Sequence, residues 1–135
     1  MITSAIPLAV TVACLLWLGV TGNLQSTLTV NSGTTTLANS STVTSNVTVN
    51  NGTLLANGTL NGARLQVNNN GTATVQSSGN VTGGFAEVNN FGNLDVAGRV
   101  GGALTGNNNA TVGVTGTVVG AATMNDNSSL TSSGQ

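Results

Sequence analysis

An apolar residue followed by an asparagine-led turn returns along this chain at nearly constant distance. Val30, Val49, Val67, Val88, Gly106 and Met124 precede Asn31, Asn50, Asn68, Asn89, Asn107 and Asn125, at steps of 19, 18, 21, 18 and 18 residues. A fixed period of this size marks a solenoid, in which each unit is one supersecondary element repeated along an axis. Apolar and polar residues alternate before each anchor: Leu28 and Val30, Val47 and Val49, Leu65 and Val67, Ala86 and Val88. Period-two alternation predicts a half-buried strand. A second strand follows about six residues later, at Ala73/Val75, Leu94/Val96 and Val112/Val114. A third, shorter one carries Leu60, Val81, Val100 or Val118. No segment has a helical period.

A unit of this size cannot stand alone. Each inward side chain contributes roughly 1.5–3 kcal/mol on burial. Ordering the backbone costs about 1–2 kcal/mol per residue. Stacking on neighbouring units adds hydrogen bonds between rungs and a continuous apolar interior. The expected fold is therefore all-β: a single-stranded parallel β-helix of 18–21 residues per rung. Residues 1–22 form an N-terminal apolar segment, and residues 23–135 form five to six rungs. The core is expected to run as one column through Val30, Val49, Val67, Val88, Leu94, Val100, Val112, Val118 and Met124. From Val88 to Leu130 the apolar positions recur every six residues, as in left-handed β-helices. The three extra residues between Val67 and Val88 suit a right-handed helix better, and right-handed is the expectation.

The corners explain the asparagines. A chain leaving a strand at a tight corner often enters the left-handed region, which Gly tolerates best and Asn better than other residues. Stacked rungs also set Asn over Asn, so Asn31, Asn50, Asn68, Asn89, Asn107 and Asn125 are expected to form one hydrogen-bonded ladder, as in other stacked parallel strands. Gly92, Gly98, Gly101 and Gly116 are expected to allow the remaining tight turns.

Composition narrows the function. Charged residues make up 4% of the chain, net charge is −1, and there is no His. The charged residues are Arg64, Glu87, Asp95, Arg99 and Asp126. Nothing draws such a chain to nucleic acid. The one cysteine, Cys14, excludes an internal disulfide and a cysteine metal cage. Without His there is no Ser/His/Asp or Cys/His constellation, and without Lys no phosphate loop of the Walker type. No cofactor is expected. Glu87, Asp95 and Arg99 share a rung. Alternation points the two acids outward, which predicts a solvated ion pair rather than an acid–base couple. Phe85 and Phe91 flank one turn and are the candidates for contact with a stacked ligand; a corner stack is the alternative. The Thr-x-Thr pairs at 27/29, 42/44, 72/74 and 115/117 fall at different offsets from their anchors, which speaks against a single threonine ladder. The Asn-x-Ser/Thr sequons follow from composition.

The stretch "AIPLAVTVACLLWLGV" is apolar from Ala5 to Val20 except for Thr11, short for a membrane span. It reads as an export signal with cleavage near Gly22, as a short anchor, or as a segment that caps or joins the first rung. The positive residues that usually open a signal are missing.

The stretch "LTVNSGTTTLANSSTVTSNVTVNNGTLLANGTLNGARLQVNNNGTATV" resembles the passenger regions of bacterial autotransporters and haemagglutinin-like adhesins. The likeness runs from about Leu28 to Gly134 and rests on "VNNGTL" phrases and Asn/Gly/Thr/Ser richness. It implies an exported, non-catalytic stalk or adhesin displayed on, or released from, a Gram-negative cell. Its partners would be host glycans or matrix, with weak, multivalent contacts. The family's C-terminal membrane barrel, the route to the outer membrane, is absent here, which makes a fragment of a longer protein the expectation. The alternative is a module that stacks end to end into filaments. A polysaccharide-active β-helix enzyme is a distant third.

Overall fold

A computed structural model describes residues 10–12, 17–62 and 64–133; Cys14 and most of the apolar segment 1–22 lie outside the described residues. The fold is the expected parallel β-solenoid. Each turn of the chain contributes one strand to each of three parallel sheets. Sheet I contains Val10–Val12, Leu28–Val30, Val47–Val49, Arg64–Val67, Phe85–Asn89, Leu104–Asn107 and Ala122–Met124. Sheet II contains Trp17–Val20, Thr34–Leu37, Thr53–Ala56, Thr72–Val75, Asn93–Val96, Thr111–Val114 and Ser129–Ser132. Sheet III contains the two-residue strands Asn23–Leu24, Thr42–Val43, Thr59–Leu60, Asn80–Val81, Arg99–Val100 and Thr117–Val118.

The register follows the sequence repeat. In sheet I Val10 pairs with Leu28, then Val47, Leu65, Ala86, Leu104 and Ala122 follow, at steps of 18, 19, 18, 21, 18 and 18. The three extra residues of the long step all lie in corners. Corner 68–71 replaces the shorter 50–52, and corner 76–79 replaces the shorter 57–58. Strand lengths and register survive because a corner faces solvent, whereas a one-residue slip in a strand would turn its apolar face outward.

Pairing begins upstream of the boundary drawn at residue 22. Val10–Val12 joins Leu28–Val30, and Trp17–Val20 joins Thr34–Leu37. Leu18 and Val20 are buried with the core. This part of the apolar segment is thus laid into the first rung.

The nine core residues named from the sequence do not form one column. Val30, Val49, Val67 and Val88 line sheet I in a column that continues through Gly106 to Met124. Leu94 and Val112 belong to sheet II, and Val100 and Val118 to sheet III. The six-residue period is the sign of this: a rung of 18 residues with three faces presents one such position per face. Val118 and Met124 are only partly buried, since the last rung has a neighbour on one side among the described residues. At Gly106 the missing side chain leaves room that Met124 occupies, with Sδ 2.7 Å from where a Cβ would stand.

Candidate functional site

The corner between sheets I and II carries the most ordered side-chain chemistry in the molecule. Asn50 Nδ2 donates to Asn31 Oδ1 at 2.6 Å, Asn68 to Asn50 at 3.3 Å and Asn89 to Asn68 at 3.1 Å. Asn107 donates to Asn89 and Asn125 to Asn107, both at 2.8 Å. The six asparagines thus form one column of five amide–amide bonds, each rung donating to the rung before it. Stacking at the inter-strand spacing of ~4.8 Å places equivalent amides within reach, and the amide group both donates and accepts.

The next two residues of the corner are left-handed in four rungs. Positive φ angles occur at Asn69 and Asn70, Asn90 and Phe91, Asn108 and Asn109, and Asp126 and Asn127. Gly71 N donates to Asn68 O at 2.8 Å, Gly92 N to Asn89 O at 3.0 Å and Ser128 N to Asn125 O at 3.1 Å. Two left-handed residues closed by such a bond make a type I′ turn, which favours Asn at both central positions. Two outer rows of amides result: at the first left-handed position Asn108 donates to Asn90 at 3.1 Å, and at the second Asn127 donates to Asn109 at 3.4 Å. Phe91 interrupts the second row at φ 64° and is 63% exposed.

The structure does not bring Phe85 and Phe91 together at one turn. Phe85 opens the strand Phe85–Asn89, and Phe91 lies in the corner beyond its other end. A strand of this length separates them by more than 13 Å or so at ~3.3 Å per residue. Phe85 instead lies opposite Arg64 of the preceding rung, whose guanidinium carbon is 5.6 Å from the ring centre. Arg64 Nη2 also donates to the Glu87 carboxylate. Glu87 therefore pairs across rungs and not with Arg99. Register decides this: Arg64 faces Phe85 and Gln66 faces Glu87, so Glu87 is the diagonal neighbour of Arg64 on the outer face of sheet I. Asp95 and Arg99 are exposed on sheets II and III. No group of three or more His, Cys, Asp or Glu side chains with metal-binding geometry occurs among the described residues.

Two features escaped the sequence reading. The glycines named as turn formers are not left-handed: among the described glycines only Gly22 and Gly33 have positive φ. Gly98 and Gly116 are instead crowded. A Cβ on Gly98 would run into the carbonyl oxygens of Gly79 and Gln76, and one on Gly116 into those of Gly98 and Ala97. Gly58, Gly79, Gly98 and Gly116 stack at the entry to sheet III, each bare of a side chain because the backbone of the preceding rung lies against it. The second feature is a threonine column on the outer face of sheet II, where Thr34, Thr53 and Thr72 pair in sequence before Asn93 breaks the run. Only alignment by structural register reveals it, since the rungs differ in length. Of the Thr-x-Thr pairs read from sequence, Thr29 lies in sheet I, Thr42 and Thr117 in sheet III, and Thr72 with Thr74 in sheet II.

No family model, no curated protein and no solved structure matches the chain.

Proposed function

We propose that this chain is a non-catalytic rod segment of an exported bacterial surface protein, a stalk or adhesin of the kind its sequence resembles in autotransporter passengers. The observation that supports the reading is the uninterrupted asparagine ladder from Asn31 to Asn125. Rung after rung is built alike, with a closed apolar interior and an outer surface of Thr, Asn and Ser. Such a solenoid holds its ends apart and offers repeated neutral contacts along its length. Contacts of that kind suit weak, multivalent adhesion to glycans or matrix.

The test is fractionation of the producing bacterium with an antibody against the folded rungs, with and without protease added to whole cells. Recovery from the surface or the medium, sensitive to external protease, is the expected result. An intact, protease-protected cytoplasmic chain would overturn it.

That second outcome would favour filament formation. The observation behind it is at the last described rung, where Thr117–Val118, Ala122–Met124 and Ser129–Ser132 are paired on one side only. There a cleft of about 150 Å³ is lined by Leu104, Val114, Val118, Ala122 and Leu130 among others. Strand edges beside an apolar cleft are a template for a further rung, which this chain or a second one can supply.

A further inference from the structure

Phe91 occupies a position where neither backbone conformation nor packing accounts for an aromatic side chain. Of the eight non-glycine residues with positive φ among the described residues, seven are Asn or Asp and the eighth is Phe91. A bulky residue at positive φ is strained, and strain of this kind persists where it serves a site. Burial does not compensate, because the ring is 63% exposed. The backbone beneath it is fixed: Phe91 N donates to Asn108 O at 3.1 Å, and Gly92 N closes the turn onto Asn89 O at 3.0 Å. The ring therefore stands out from a rigid ridge.

The corners of the two neighbouring rungs carry no charge, and the first carboxylate of the column, Asp126, lies two rungs on. Corner positions 68–71, 89–92 and 107–110 contain Asn, Gly, Ala and this Phe, with no charged residue. Asn90 and Asn108 are joined side chain to side chain in the first outer row beside it. Amides recur along the solenoid axis at ~4.8 Å. An exposed apolar ring face set among groups that both donate and accept hydrogen bonds suits a ligand with apolar C–H faces and many hydroxyls, and the lack of charge suits an uncharged one. We infer that Phe91 and the flanking Asn90 and Asn108 form a contact site for a neutral polysaccharide, the ring stacking on one sugar and the amides holding hydroxyls of its neighbours. The site would be the adhesive contact of the rod proposed above and rests on that reading. Binding in vitro is measured independently of export, so the two can fail separately.

The test is affinity electrophoresis of the full chain through gels containing dextran, laminarin or galactomannan, with polygalacturonate as an acidic control. At least one neutral polymer is expected to retard the wild type more than polygalacturonate does. Phe91→Asn should weaken that retardation about tenfold, the loss of one aromatic contact. The same variant should melt at a higher temperature, because Asn suits φ 64°. Phe91→Tyr should keep the binding. The inference is overturned if no neutral polymer retards the wild type, if polygalacturonate retards it equally, or if Phe91→Asn binds unchanged. A lower melting temperature for Phe91→Asn would also overturn it, since the ring would then serve the fold. So would a wild-type dimer in sedimentation that Phe91→Asn abolishes, since the ring would then meet a second copy.

Discussion

Replacing Asn89 by alanine cuts the asparagine ladder at its middle. The side chain donates to Asn68 Oδ1 at 3.1 Å and accepts from Asn107 Nδ2 at 2.8 Å, so the change removes two hydrogen bonds. A neutral hydrogen bond contributes about 0.5–1.5 kcal/mol net, and two give about 1–3 kcal/mol. The corner is half-buried, so water reaches the amides left behind, and the lower part of that range applies, about 1–2 kcal/mol. For a chain of this length 1 kcal/mol moves the melting temperature by about 3–4 °C. Asn89→Ala is therefore expected to melt about 3–8 °C below the wild type by circular dichroism. Asn125→Ala, at the exposed end of the same column, loses one donated bond and should shift by half of that or less. Asn39→Ala, an exposed asparagine in the corner between sheets II and III, is the control. If Asn89→Ala and Asn39→Ala melt together, the ladder contributes nothing to stability and the reasoning fails.

Thr35 is fully buried in sheet II with its hydroxyl unpaired. Thr35→Val keeps the shape and removes the orphaned group, so it should raise the urea midpoint by the equivalent of about 1–2 kcal/mol; an unchanged midpoint would mean that the hydroxyl is satisfied. Gly98→Ala drives a methyl into the carbonyls of the preceding rung and should cost about 1–3 kcal/mol. Gly101→Ala, whose nearest obstacle is 3.2 Å away, should be much milder, and equal losses in thermal melts would refute the crowding argument. Asp126 takes the place in the first outer row that Asn108 and Asn90 hold in earlier rungs, but its carboxylate has no N–H to donate. Asp126→Asn should add a bond to Asn108 and about 0.5 kcal/mol, read as a small rise in melting temperature.

The repeat was legible because corner chemistry and strand alternation share one period. Asn31 to Asn125 could be aligned by eye, and the ladder follows once rungs stack in register. The charged pair was not legible. Glu87 and Arg99 are close in sequence, yet Glu87 meets Arg64, because neighbours on a solenoid face are one rung apart rather than a few residues apart. The same rule separates Phe85 from Phe91 and gathers Thr34, Thr53 and Thr72 into a column.

The sequence alone determined the parallel solenoid, the length of its rungs and the amide corner. Those properties are set by local conformation and by the period of apolar burial, and both are written into each unit. The tertiary structure decided what depends on contact between units. It set which of three faces each core residue lines and in which corners the extra residues fit. It also showed that the glycines of the sheet III entry are there for want of space rather than for a left-handed turn. A unit's own sequence does not encode how closely the preceding rung lies against it, and that distance is far shorter at Gly98 than at Gly101.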